Sequence, residues 1–238
     1  RFSLCTVRRY LDLLSGPLTV AARDLDWIPV NPLRKVQKPP EAPARERALS
    51  PDEQQRLLEA CKQSRNKYLH LLVLLALSTG ARKNELLERR WPDVDLSRRM
   101  LSIPKTKNGD KRSVPITGQA LTVLQHHAAH RRADCDWVFP AFDGHAPFQI
   151  HGCWPEALRR AGLENFVFHD LRHTAASYLA MSGASLLDIA TILGHKSLQM
   201  TKKYSHLTTG HLGGVAEKMT ARFLPEEAPS GVPSDGPG

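Results

Sequence analysis

A nine-residue apolar run near the middle of the chain, LHLLVLLAL at residues 69–77, limits what the sequence can fold into. It falls well short of the ~20 residues needed to span a bilayer. It has no polar face, so it predicts a helix buried on all sides, from Tyr68 to Ser78 and ended by Gly80. The chain is therefore expected to fold as a helical domain with a sizeable core and no membrane span.

Amphipathic helical spacing recurs on both sides of this run, with clear start and stop signals. Ser50-Pro51-Asp52-Glu53 is a capping box, and Ser185 with Asp188 predicts the start of a helix that Gly194 ends. Between Met100 and Ile116 the pattern changes to alternation around Lys107-Asn108-Gly109-Asp110, which is a β-hairpin signal. The predicted fold is mainly α with a small antiparallel β-hairpin sheet.

Composition shifts divide the chain into segments. Residues 1–38 open with helical spacing, interrupted at Gly16-Pro17, which predicts two short helices. A proline-rich, charged stretch then predicts a linker at 39–48, followed by a main domain at 49–224. The Pro/Gly-rich tail at 225–238 is expected to be disordered. Because the first residue is Arg1 within helix-like sequence, we expect the chain to be part of something longer.

The charge balance is strongly basic, with 33 Lys and Arg against 24 Asp and Glu. Residues 225–238 hold three acids and no base, so the rest of the chain carries +12. Such a surplus favours a polyanionic partner, nucleic acid first, although a protein can also be basic without a functional reason. The four cysteines are scattered without a CxxC pair, which favours neither a disulfide framework nor a zinc site and fits a reducing, cytoplasmic setting.

Six residues together suit the chemistry of a phosphodiester. Guanidinium groups bind phosphate oxygens in pairs and neutralise the charge that develops at phosphorus, and a tyrosine can supply the nucleophile. The candidates are Arg82, Lys107, His169, Arg172, His195 and Tyr204. On a helix that starts near His169, Arg172 lies at i+3 and on the same face. Gly194 turns the chain immediately before His195, and nine residues allow Tyr204 to return to the same pocket.

The motifs that carry these residues resemble the tyrosine recombinases of the phage integrase family. Thr79-Gly80-Ala81-Arg82-Lys83-Asn84-Glu85 resembles the box around the first catalytic arginine. His169-Asp170-Leu171-Arg172-His173 resembles the His-x-x-Arg box, and Leu193-Gly194-His195 followed by Tyr204 resembles the last box. The resemblance covers roughly residues 49 to 210.

The resemblance implies a role for each matching residue. Tyr204 would attack the scissile phosphate to give a 3′-phosphotyrosyl intermediate, and a second 5′-hydroxyl would reverse the step, so neither a metal nor ATP nor another cofactor is expected. The arginines would hold the non-bridging oxygens, the two box histidines would assist, and Lys107 would protonate the leaving 5′-oxygen. Glu85 and His173 would be supporting residues.

Two assignments are less direct. A free tyrosine has a pKa of about 10 and needs help from a base or from cations, for which His195 and the arginines are the candidates. Lys105 shares a strand face with Lys107, and Lys111 lies across the turn, although the family pattern favours Lys107.

The resemblance also predicts organisation and partners. Residues 1–38 resemble the last helices of the core-binding domain, which forms a clamp around duplex DNA with the catalytic domain. The expected partner is double-stranded DNA, bound by a homotetramer that acts on two sites in the cytoplasm.

Three other interpretations use the same residues. His169 and His173 are four apart and could bind zinc from one helix face, but Asp170 stands where HExxH proteases have glutamate, and no third ligand follows. His126 and His130 share this spacing and are better explained as part of a solvated basic face. The chain could also be a DNA-binding remnant without catalysis, or a relaxing enzyme like the type IB topoisomerases, which share a similar pocket.

Overall fold

The computed structural model describes residues 2–41, 45–104, 112–207, 213, 217 and 219–223. The tip of the predicted hairpin, with Lys105, Lys107 and Lys111, lies outside the described residues, and so does the predicted disordered tail at 225–238. By packing, the chain divides into two units, Arg1–Glu46 and Arg47–Gly238. That residues 1–38 are part of a core-binding domain stays a prediction.

The first unit corrects one prediction from the sequence. Instead of two short helices, one helix, α1, runs through Pro17 from Leu4 to Arg23. Proline has no N–H to donate to the helix ladder, but side chains reinforce the turn beside it. The carbonyl of Ser15 accepts from the Thr19 hydroxyl at 2.7 Å and from the Asn31 amide at 3.0 Å. These contacts hold the helix together where the sequence predicts a break.

The second unit is mainly helical, as the sequence predicts. Its helices are α2 (Pro51–Lys62), α3 (Leu69–Thr79), α4 (Lys83–Leu87), α5 (Gly118–Ala129), α6 (Cys153–Ala161), α7 (Asp170–Met181) and α8 (Leu186–Leu193). Two 3₁₀ helices follow α8, at Leu198–Met200 and Lys202–Leu207. None of the helices among the described residues is both long and apolar enough to cross a bilayer.

A small antiparallel sheet packs beside the helices in the order β1 (Val94–Asp95), β2 (Met100–Ile103) and β3 (Arg112–Pro115). Leu101 pairs with Val114, and both side chains are buried, so the alternation in the sequence gives the correct inward face. Strand β1 was not predicted, because two residues carry no periodicity.

Helix α3 is the centre of the core. It is buried along most of its length and packs against α2, α5 and α7. A smaller apolar cluster on the other side of α7 includes Ala176, Ile189, Leu193 and Tyr204. Helix α7 therefore packs against the 3₁₀ helix that carries the candidate tyrosine, and its Arg172 contacts Gly80 at the end of α3.

Candidate active site

The C-terminal turn of α3 brings the first arginine into the site. Gly80 ends the helix with a left-handed φ of +61°, and a Cβ added there would lie 2.2 Å from Leu193 Cδ2. Arg82 follows and precedes α4, where its backbone N–H donates to Glu85 Oε2 at 2.9 Å and its Nη1 to Glu85 Oε1 at 2.8 Å. Its side chain is 43% exposed. Arg82 is thus held at its base, while part of its guanidinium is left to solvent or to a ligand.

Arg172 is the buried cation of the site. It is 4% exposed, and its Nη1 donates to the Gly80 carbonyl at 2.8 Å. Its Nη2 is buried and has no hydrogen-bond partner among the described residues. Burial and the charge of Arg82 lower the pKa of Arg172 to about 10, so it stays protonated at neutral pH. A buried, charged donor without a partner is costly, and an anionic ligand would remove that cost.

Glu85 joins the arginine turn to the sheet. Its carboxylate also accepts from Arg112 Nη2 on β3 at 2.7 Å, and the Glu85 side chain is 7% exposed. Burial alone would raise the pKa of Glu85, but hydrogen bonds from Arg112 and Arg82 bring it to about 2. Arg112 in turn lies against the turn after α8, where a Cβ added to Gly194 would be 2.4 Å from its Nη1. Glu85 and Arg112 thus link the two turns that present Arg82 and His195.

His195 is oriented by the segment that follows it. Its Nδ1 lies 2.7 Å from the hydroxyl of Thr201, which is fully buried. Burial, with Arg172 and Arg82 nearby, lowers the pKa of His195 to about 4. The ring is therefore neutral at pH 7, and with Nδ1 engaged, Nε2 is the nitrogen left to meet a substrate.

Tyr204 lies in the second 3₁₀ helix and is 6% exposed. Its hydroxyl is 2.7 Å from Nδ1 of His173 on α7, and the Lys203 ammonium is 3.0 Å from the same nitrogen. Burial, and after it the charge of Lys203, lowers the pKa of His173 to about 4. The hydroxyl is thus in contact with a neutral imidazole.

His169 stands at the N-cap of α7, and its ring meets that of His173 edge-on, with 5.2 Å between centroids. Partial desolvation and the charges of Arg172 and Arg82 lower the pKa of His169. The charges of the same two arginines lower the pKa of His195, and an ionised Tyr204 would raise the pKa of Arg172. These mutual effects bring five of the six candidate residues into one electrostatic neighbourhood, and Lys107 lies outside the described residues.

Three further residues in this neighbourhood were not singled out from the sequence. They are Arg112, Thr201 and Lys203. Arg112 carries no local signal, since only the strand register turns its side chain toward Glu85. The positions of Thr201 and Lys203 between His195 and Tyr204 could have drawn attention to them. Among the described residues there is no group of three or more side chains suited to a metal ion.

Comparison with known proteins decides the family. The sequence matches the phage integrase family over residues 47–211. This chain belongs to that family. The shufflon-specific DNA recombinase of Escherichia coli is 33% identical over 232 residues, which are 94% of this chain and 58% of that protein. Tyrosine recombinase XerA of Saccharolobus solfataricus is 30% identical over 193 residues, or 80% of this chain and 62% of the relative. This integrase-family chain thus spans about three fifths of these curated relatives.

Solved structures confirm the phage integrase fold. The catalytic domain of bacteriophage HP1 integrase superposes with a TM-score of 0.59 at 29% identity, covering 76% of this chain and 98% of that domain. The Tn1549 transposon integrase, solved with a circular intermediate DNA, gives 0.75 at 20% identity over 92% of this chain and 80% of its own. The mainly helical fold with a small sheet, predicted from the sequence, is therefore confirmed.

Proposed function

We propose that this protein is a site-specific recombinase that cuts and rejoins duplex DNA through a covalent 3′-phosphotyrosyl intermediate. The observation that carries the proposal is Arg172 Nη2, which is buried, charged and without a described partner, beside Arg82 and His195. A phosphate oxygen is the ligand such a group suits best, because guanidinium and phosphate form strong, charge-assisted hydrogen bonds. Tyr204 lies close enough that a phenolate there would raise the pKa of Arg172.

The roles follow from the chemistry of each group. Arg82 and Arg172 hold the non-bridging oxygens and offset the charge that develops as phosphorus becomes five-coordinate. His169 and His195 are neutral at pH 7 and give hydrogen bonds to those oxygens. Tyr204 is the nucleophile, and Glu85 keeps Arg82 in place. The family pattern assigns to Lys107 the protonation of the leaving 5′-oxygen.

One phosphoester replaces another in this reaction, so the bond energy is conserved in the covalent intermediate. We therefore propose that it needs neither ATP nor a metal. The return step uses a 5′-hydroxyl from another strand as the nucleophile and Tyr204 as the leaving group. Strand exchange results when that hydroxyl comes from the second DNA site.

The proposed partner is double-stranded DNA, in keeping with the +9 charge of the chain. The Tn1549 integrase was solved with DNA, and a lambda integrase dimer was solved on a core site. Exchange between two sites needs four cleavages, so we propose a homotetramer on two DNA sites. We place the reaction in the cytoplasm, at the DNA.

Covalent trapping tests the proposal. The protein is incubated in EDTA with a pool of nicked, random-sequence suicide duplexes, and adducts are read by denaturing gel and peptide mass spectrometry. We expect an adduct on Tyr204 without metal, and none with Tyr204→Phe at unchanged duplex affinity. Duplex binding by the full-length protein without any adduct would favour a non-catalytic DNA-binding protein. Relaxation of supercoiled plasmid without strand exchange would favour a topoisomerase.

A further inference from the structure

The nitrogen that meets the candidate nucleophile has two neighbours. Nδ1 of His173 lies 2.7 Å from the Tyr204 hydroxyl oxygen and 3.0 Å from Lys203 Nζ. A lysine ammonium has three donors and no lone pair, so in this pair the imidazole nitrogen must accept. Nδ1 therefore carries a lone pair, the ring proton is on Nε2, and the tyrosine hydroxyl donates to Nδ1. The two contacts together therefore favour the tautomer with the proton on Nε2.

The other groups considered for activating the tyrosine fit this role less well. The Nδ1 of His195 is engaged by Thr201 at 2.7 Å. Arginine guanidiniums have no lone pair to offer and stay protonated, so Arg82 and Arg172 can stabilise a phenolate but cannot take its proton. His173 combines direct contact with an available lone pair.

We propose that His173 is the general base of the cleavage reaction, and that Lys203 holds it ready. This inference rests on the proposed function. As Tyr204 Oη bonds to phosphorus, its proton passes to His173 Nδ1, and the bond from phosphorus to the 5′-oxygen breaks. The 5′-oxygen leaves with a proton from the general acid, assigned to Lys107. In the return step a 5′-hydroxyl gives its proton back to the general acid, assigned to Lys107, and attacks phosphorus. Tyr204 Oη then leaves, and His173 returns the proton to it.

Lys203 contributes in two ways. Its ammonium lies 5.1 Å from the centre of the Tyr204 ring, where its charge favours the developing phenolate. It also discourages protonation of His173 before the reaction. The base is therefore kept neutral until the tyrosine gives up its proton.

The surroundings of His173 set the expected pH dependence. The charged and titratable groups around it are Lys203 and Tyr204 in the 3₁₀ helix, His169 at the N-cap of α7, Asp170 and Arg172 on α7, and His195 after α8. Burial and Lys203 hold its pKa at about 4. A base with that pKa is unprotonated at higher pH values, so the protonation of His173 should slow cleavage only as the pH falls toward 4. Lys203→Met should raise the pKa and move this acid limb upward.

His173→Asn gives the sharpest test, because the amide can keep a hydrogen bond to Tyr204 but cannot take a proton. His70→Asn is the control, since His70 is half-buried on α3, about 15 Å along the helix from Gly80. Both proteins are assayed on a suicide duplex recovered from the trapping pool, and on the same duplex with sulfur replacing the bridging 5′-oxygen. The sulfur leaving group needs no acid, so it relieves defects in the general acid but not in the base.

We expect His173→Asn to slow adduct formation about 100-fold or more on both duplexes, and His70→Asn to be near wild type. A rate within a few-fold of wild type would overturn the proposal. So would a defect that the sulfur duplex relieves, because that pattern belongs to a general acid. A wild-type protein that forms no adduct on either duplex contradicts the proposed function instead.

A measurement on the wild-type protein is independent of how the variant folds. ¹⁵N NMR of histidine side chains distinguishes the two neutral tautomers, and the His173 signals can be assigned by through-bond correlation to the backbone resonances of the same residue. We expect the proton on Nε2 at pH 7. A proton on Nδ1 would show that His173 donates to Tyr204, and the proposal would be wrong.

Discussion

Gly194 lies directly against the guanidinium of Arg112, so closely that a Cβ on the glycine would be 2.4 Å from Nη1 and 2.8 Å from Cζ. The glycine that ends α8 before His195 is therefore needed for space as well as for its φ of +67°. Through Arg112, the turn that presents His195 touches the ion pair that holds Arg82.

The first prediction concerns this contact. Gly194→Ala should lower the free energy of unfolding by more than Gly118→Ala, because Gly118 has a similar φ of +56° but nothing within 4 Å of an added Cβ. Gly118→Ala, the control, should lower the free energy of unfolding by about 1–2 kcal/mol from backbone strain alone. Urea unfolding measures both. In a double-mutant cycle, Gly194→Ala should lower the free energy of unfolding by less in an Arg112→Ala background than in the wild type. Strict additivity of the two changes would contradict the contact.

A second prediction concerns the buried ion pair. Glu85→Gln leaves Arg112 and Arg82 without their carboxylate, and the loss of one member of a buried pair should cost about 3 kcal/mol in urea unfolding. The comparison is Glu156→Gln, which removes exposed ion pairs to Arg159 and Arg160 and should leave the midpoint nearly unchanged. Equal effects of the two changes would show that Glu85 is not a structural link.

The boundaries of the site helices were predictable because their signals are local. Helix α7 runs from Asp170 to Met181, and α8 from its Ser185 cap to Gly194, both as predicted. The unbroken α1 was not predictable from its own residues, because Asn31, beyond the helix, adds a hydrogen bond to the Ser15 carbonyl near Pro17.

The candidate site was predictable only where its residues sit in motifs. The contacts of Arg112 with Glu85 and Gly194 depend on strand register and on the packing of distant elements, so no spacing in the sequence encodes them. The contact of His173 with Tyr204 likewise depends on where the last 3₁₀ helix packs. Motifs identify which chemical groups are present, and packing decides which of them touch.

Acid should expose the contribution of Glu85 to stability. Its folded pKa of about 2 lies below the ordinary value of 4.5, so its stabilisation is complete above about pH 5 and is lost as the pH falls toward 2. Other carboxylates share this trend, so the useful quantity is the difference between wild type and Glu85→Gln. We expect that difference in unfolding free energy to shrink between pH 5 and pH 2. A difference that is constant over this range would be inconsistent with a depressed pKa.

Thr201→Val tests how His195 is oriented. The change keeps the shape of a fully buried side chain but removes the hydroxyl 2.7 Å from His195 Nδ1. Loss of one hydrogen bond of about 1 kcal/mol should slow adduct formation about fivefold to tenfold, and Thr201→Ser should restore most of the rate. Failure of serine to rescue would assign the effect to packing instead of the hydroxyl.

Arg172 offers the clearest separation of catalysis from stability. Its Nη2 is buried without a described partner, while Nη1 donates to the Gly80 carbonyl, so Arg172→Met removes one unfavourable and one favourable feature. We expect the free energy of unfolding to change by no more than about 1 kcal/mol, because the two effects largely cancel.

Covalent attachment by Arg172→Met should fall below detection, since the loss of even one donor to a developing oxyanion slows a reaction about 100-fold or more. Duplex binding should persist and stay steeply salt-dependent, because Arg172 is one of 33 Lys and Arg residues in a basic chain. Gel-shift titrations at several salt concentrations, beside the trapping assay, measure both properties, and cleavage retained in Arg172→Met would refute the phosphate-binding role of this arginine.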